Sequence, residues 1–181
     1  MISVQSQYGV CECEAQDILF FVRQGKRLGL LREEFSDYYQ KNDLLEGLRD
    51  ELTNCGGQYL SLDLSRLGEN SFAESLHAEL ESSRSAYRRR FNLSLMLPSP
   101  FIQRAIAWQR LCDRLIEDEE PQRPTLLVIE NFDLADERTH CEIERLIRFH
   151  ATHNIRRMFL LTLQDDETLR PPLRRLVEIR L

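Results

Sequence analysis

The stretch Thr125-Leu126-Leu127-Val128-Ile129-Glu130-Asn131-Phe132-Asp133 is five apolar or β-branched residues in a row that end abruptly on a carboxylate. A run that short and that apolar on both faces suits a strand buried inside a parallel sheet, where neither face meets water. Outward from it, the same kind of run occurs at Ile18 to Val22, Tyr59 to Asp63, Met158 to Leu163 and Val177 to Leu181. Five such runs alternate with longer helical patterns, which predicts crossover units and a largely parallel sheet. The expected class is α/β, a three-layer sandwich with a five-stranded, mostly parallel sheet between helices.

The helical patterns are predicted from spacing and from caps. Leu30, Leu31 and Phe35 suggest a helix from near Leu28 to about Gln40, and a second from Asp43 to Asn54 is capped by Asn42 or Asp43 and closed by Gly56-Gly57. Phe72, Leu76 and Leu80 mark a helix from Asn70 to about Arg90, with Asn70 or Ser71 as its cap. Leu93 to Phe101 contains Pro98 and Pro100 and reads as a loop. Further helices are expected from Ile102 to near Glu119, with Trp108 packed beneath, from Asp136 to His150, and from Glu167 to Leu176 with Pro171-Pro172 inside it.

Composition bounds the rest. The chain has 181 residues, 42% of them apolar and 30% charged, enough for one core and one domain. The expected division is an extension over 1–17 and an α/β domain over 18–181. A net charge of -6 argues against general affinity for nucleic acid, which relies on many cations neutralising phosphates. The start of the chain lacks a basic cluster and a following apolar segment, and no apolar run approaches the length of a bilayer span. Five scattered cysteines, an odd number, suit a compartment where thiols stay reduced, so a cytoplasmic location is expected. Cys11-Glu12-Cys13 and His140-Cys141 lack the spacing that lets two thiolates grip one zinc ion. No metal site is expected.

The order of strands and helices, with Tyr59-Leu60-Ser61-Leu62-Asp63 as second strand and the acid-ended Thr125 to Asp133 run in the middle, resembles the ATPase core of the AAA+ and STAND families of P-loop proteins. The resemblance covers the chain from about Ile18 onward. It implies a phosphate-binding loop of the form G-x-x-x-x-G-K-[ST] after the first strand. With that strand at Ile18 to Val22, the loop falls on Arg23-Gln24-Gly25-Lys26-Arg27-Leu28, where Gly25-Lys26 is followed by arginine and leucine stands in place of a magnesium-binding hydroxyl. The resemblance further implies an Asp-Glu pair at the acid-ended strand, where this chain has Glu130-Asn131, and a polar sensor near Thr162 or Gln164. An amide at Asn131 cannot take a proton from water.

The reading that follows is a non-hydrolysing, pseudo-ATPase domain that docks on another protein, an active ATPase subunit being the natural partner. Weak ATP or anion binding would use Gly25, Lys26, Arg27, Glu130 and Thr162. Two alternatives stay open. One is a divergent ATPase or ATP-gated switch using those same residues, and the other is a nucleic-acid adaptor. Partner contacts are expected at Arg84, Arg88, Arg89 and Arg90, the densest basic patch, and at Arg174 and Arg175, in a region from which related ATPases send an arginine into a neighbour's nucleotide.

Overall fold

The computed structural model describes residues 15–33, 38–67, 71–82, 100–117 and 123–181. Its sheet has five parallel strands: β1 (Leu28–Arg32), β2 (Gln58–Asp63), β3 (Thr125–Glu130), β4 (Arg157–Leu163) and β5 (Ile179–Arg180). They lie side by side in the order β2-β3-β4-β1-β5. Around them run α1 (residues 15–23), α2 (Tyr38–Asn54), α3 (Phe72–Ser82), α4 (Pro100–Glu117), α5 (Glu137–Thr152) and the short α6 (Pro171–Arg174).

Successive side chains on a strand point to opposite faces, and here each face has its own core. Leu127 and Ile129 of β3 with Phe159, Leu161 and Leu163 of β4 pack under α3, α4 and α5. Leu126 and Val128 with Met158 and Leu160 pack against α1 and α2. The three-layer α/β sandwich expected from the sequence is the one observed. No helix among the described residues is long and apolar enough to cross a membrane.

The first strand is where sequence and structure part. Ile18 to Val22, read as a strand, lies in helix α1, and Leu28 to Arg32, read as the start of a helix, is strand β1. A five-residue apolar run is compatible with either element, and burial decides between them. Ala15, Ile18, Leu19 and Val22 are buried at helical spacing while Phe20 is 55% exposed, the single apolar stripe of a surface helix. Gly25, at φ 73°, then closes α1 in the left-handed conformation, with Lys26 N–H reaching back to the Phe21 carbonyl. Leu28 and Leu30 enter one core, whereas Gly29 sits where an added Cβ would come within 2.7 Å of the Met158 methyl.

Other boundaries shift less. Helix α2 starts at Tyr38 rather than Asp43, and Gly56, also at φ 73°, ends it as expected. Helix α3 opens with a capping box: Ser71 N–H donates to Glu74 Oε2 at 2.9 Å and Glu74 N–H to Ser71 Oγ at 3.3 Å. It is described to Ser82, so Asn70 and the predicted continuation to Arg90 lie outside the described residues. The predicted helix from Glu167 to Leu176 is a single turn at Asp166–Thr168 followed by α6, because Pro171-Pro172 can begin a helix but not continue one.

His150 is buried near the end of α5. Its Nδ1–H donates to the Leu146 carbonyl at 2.9 Å, its ring stands edge-on to Phe159, and Nε2 has no hydrogen-bond partner among the described residues. Burial, with the nearby Arg157 and His153 charges, pushes its pKa down to about 3 against the raising effect of the Leu146 bond. An unfolded histidine protonates near pH ~6.5, so below that the unfolded chain binds a proton that the folded one refuses, and stability falls with pH. Urea midpoints should therefore drop from pH ~6.5 toward ~4 with a slope of up to about 1.4 kcal/mol per unit. His150→Leu should flatten that slope; an unchanged slope would place its origin elsewhere.

Candidate functional site

In open parallel sheets ligands bind beyond the carboxyl ends of the strands, so the chemistry at that edge decides what the fold can hold. Four strands contribute. Glu33 follows β1, extending its pairing with β4 through a 2.8 Å bond from Glu33 N–H to the Leu163 carbonyl. Asp63 ends β2 in register with Glu130, which ends β3. Thr162 is the penultimate residue of β4 and is fully buried.

These groups are tied to one another. Lys41, on the first turns of α2 with a side chain only 7% exposed, places Nζ 2.9 Å from Glu33 Oε1 and 3.8 Å from Glu130 Oε2. Ser61 Oγ donates to Glu130 Oε1 at 2.6 Å, engaging the other carboxylate oxygen. Asn131 stands just past β3 at φ 56°, a conformation that asparagine tolerates better than most residues. Its Nδ2 donates to Asp63 Oδ1 at 2.6 Å, and its backbone N–H to Thr162 Oγ1 at 3.2 Å. Asp63 Oδ1 also accepts from Ser65 N–H and Oγ, and Asp63 Oδ2 meets Arg66 at 3.0 Å. Burial raises the Asp63 pKa, but the bonds from Ser65 and Asn131, with Arg66 behind them, outweigh it and hold the carboxyl below its usual range. Burial and then the Glu130 charge push the Tyr59 phenol up to about 12, so it stays protonated.

The result is a groove of about 550 Å³ whose lining balances Lys41, Arg49 and Arg66 against Asp63, Glu79 and Glu130. Among the described residues no three His, Cys, Asp or Glu side chains converge as metal ligands. Asp133, in a single 3-10 turn after β3, accepts a long, 3.4 Å bond from Gln164 N–H, linking the ends of β3 and β4.

The sequence-predicted residues fall in three places. Glu130 and Thr162 are both at the carboxyl edge, bridged through Asn131. Gly25, Lys26 and Arg27 precede β1 and so lie at the opposite, amino edge, about 15 Å away along a five-residue strand. The segment following the first strand thus begins at Glu33, not at Arg23, and the expected cluster of Gly25, Lys26 and Arg27 with Glu130 and Thr162 is not assembled. Arg174 turns its guanidinium onto the Leu169 and Glu167 carbonyls at 2.8 and 2.9 Å, while Arg175 is exposed. Arg84, Arg88, Arg89 and Arg90 lie outside the described residues. Lys41, Glu33, Ser61 and Asp63 were not anticipated as a group, because reading Leu28 to Gln40 as a helix hid the strand end that gathers them.

No protein-family model and no curated protein matches the chain. Solved structures do. A chain of Drosophila ORC bound to DNA superposes with a TM-score of 0.60 at 11% identity, covering 99% of this chain and 92% of that one. The Aeropyrum pernix ORC2 protein, solved with ADPNP and ADP, gives 0.60 at 12% identity over 99% of this chain, and Cdc6p from Pyrobaculum aerophilum gives 0.58 at 16% over 92%. The chain has the fold of the AAA+ ATPase core. It spans 48% and 43% of those two archaeal chains, less than half of each.

Proposed function

We propose that the chain is a non-hydrolysing AAA+-fold module that works as a docking or regulatory subunit of a larger assembly. The observation that carries this reading is the Lys41 cluster: the ammonium that faces the would-be phosphate edge is held between Glu33 and Glu130. A phosphate-cradling loop needs eight residues with glycines that let backbone amides approach the anion, and a lysine and hydroxyl to meet phosphate and magnesium. Between β1 and α2 the chain supplies only Glu33-Glu34-Phe35-Ser36-Asp37, which has no glycine, no lysine and three carboxylates. These residues do not fit a magnesium-bound triphosphate. Asn131 adds an amide where a carboxylate would activate water, and that amide is bonded to Asp63.

Phosphoryl transfer depends almost wholly on positioning and on charge stabilisation by metal, lysine and a water-orienting group. A fold that keeps the framework without those parts retains its surfaces as its working elements. The Drosophila structures name ORC bound to DNA and Cdc6, which is consistent with such folds acting inside assemblies. On this reading Arg175 and the exposed Leu134 beside the carboxyl edge are available to a protein partner.

Thermal melting in ATP with and without magnesium tests the reading. A ligand at a hundred times its Kd stabilises by about 2.7 kcal/mol, or roughly 5 to 11 °C for a chain of this size. The expected magnesium-dependent increment is under about 1 °C. An increment of several degrees, lost in Glu130→Gln, would favour a divergent ATP-binding switch.

A further inference from the structure

The amino edge of the sheet carries a second concavity, of about 720 Å³, that the nucleotide framework does not use. Three of its arginines come from distant parts of the sequence and are brought together by topology alone. Arg123 lies two residues before β3, Arg156 one before β4 and Arg27 one before β1. Those strands are adjacent in the order β3-β4-β1, so the three positions fall in a row about 10 Å long. Arg23, at the end of α1, adds a fourth, and among the described residues the lining contains no Asp, Glu or Lys. Asn154, at φ 54°, turns the chain from α5 into β4, and it lines the cavity together with Gly25.

A simpler role would be to neutralise helix ends, since α1, α2 and α5 all finish at this edge. Each helix carboxyl terminus carries roughly -0.5 charge, so three supply about -1.5 against four full positive charges. Glu178, whose carboxylate accepts from the Arg27 backbone N–H, offsets one more. Among the described residues an excess of about +1.5 remains, and a phosphate group carries about -1.5 to -2 near neutral pH. Arg123 is already oriented, with Nε donating to the Gly56 carbonyl at 3.1 Å and Nη2 to that of Gly57 at 3.4 Å. Arginine rather than lysine at every cationic position suits the planar, bidentate recognition of an oxyanion. The apolar part of the lining, Val22, Pro124 and Ile155, would shield that contact from water.

We infer that the arginine groove at the amino edge of the sheet is a binding site for a phosphorylated ligand, holding one or two phosphate groups between Arg27, Arg123 and Arg156. It lies at the opposite end of the strands from Glu130 and requires no metal, so it is independent of the pseudo-ATPase reading.

The test is calorimetric titration with inorganic pyrophosphate in the presence of a metal chelator. Wild type should bind, and Arg27→Ser with Arg156→Ser should weaken binding at least about tenfold for each arginine removed. Arg156→Lys, which keeps the charge and loses the fork, should fall between the two and guards against a general folding defect. ADP and a 5′-phosphorylated oligonucleotide as competitors, the latter against its unphosphorylated form, identify whether the phosphate belongs to a small nucleotide or to a strand end. No binding of pyrophosphate, equal affinity in the double variant, or equal displacement by a polyglutamate peptide would overturn the assignment.

Discussion

Lys41→Met is expected to destabilise the protein by about 2 to 3 kcal/mol, lowering the melting temperature by roughly 4 to 12 °C. Methionine preserves most of the side-chain volume, so the loss isolates the charge. Removing one member of a buried ion pair costs about 3 to 5 kcal/mol because the remaining charge is left without compensation. Here Glu33 and Glu130 are 15% and 19% exposed, so some water reaches them and the loss falls to or just below the lower end of that range. Two carboxylates would then face the space that one ammonium had occupied. Removing one of these charges should restore part of the loss, so Lys41→Met combined with Glu130→Gln should be less destabilised than the sum of the single changes, by about 1 kcal/mol. A loss below about 0.5 kcal/mol would put Lys41 with ordinary surface pairs and deprive the cluster of its role in closing the carboxyl edge.

Asn131→Asp is expected to cost about 2 kcal/mol at pH ~7, with the loss shrinking as the solution is acidified. Aspartate tolerates φ 56° much as asparagine does, so the backbone contributes little. What changes is the 2.6 Å contact with Asp63, where a donated hydrogen bond becomes an encounter of two carboxylates. Like charges at that separation push the pKa of one partner above its unfolded value. A carboxyl with a raised folded pKa binds its proton more tightly when folded, so the penalty present above that pKa is relieved as pH falls toward ~4. Wild-type Asp63 behaves oppositely, since its lowered pKa makes its contribution decline as pH drops through the acid range. The variant also places a carboxylate beside Glu130, yet on the proposed reading it should hydrolyse no ATP, because the sequence from Glu33 to Asp37 has no glycine and no lysine. A variant as stable as wild type, or one that turns over ATP, would contradict this account of the edge.

The sheet was legible because burial leaves a strong imprint: Leu126 to Ile129 and Met158 to Leu161 are apolar on both faces, as only an enclosed parallel strand requires. The cap of α3 was legible too, since Ser71 sits where first-turn amides need an acceptor, whereas Asn42 and Asp43, read as the cap of the second helix, lie inside α2. The first strand was not. Leu28-Gly29-Leu30-Leu31-Arg32 is short, carries a glycine and borders helix-forming residues, whereas Ile18 to Val22 imitates a strand while obeying helical spacing. Local pattern could not tell them apart; their packing partners, Phe159 to Leu163 for β1 and α2 for α1, lie far away in the sequence. That one exchange moved the expected phosphate loop to the wrong edge. It also concealed both the Lys41 cluster and the arginine groove, each assembled from strand ends remote in sequence. Glu130 and Thr162 were found from sequence because the acid at the end of a buried strand and the polar residue near the end of its neighbour stand out against apolar surroundings.

The central claim is that the carboxyl edge has no seat for a magnesium-bound triphosphate. Its most direct measurement is calorimetric titration of ATP with magnesium into the Arg27→Ser, Arg156→Ser variant, in which the amino-edge groove is silenced and the carboxyl edge is intact. The account predicts no saturable heat and no difference on adding the metal. Saturable binding with a Kd in the range of tens of micromolar or tighter, about 6 kcal/mol or more in free energy, that requires magnesium and disappears in Glu130→Gln would contradict it.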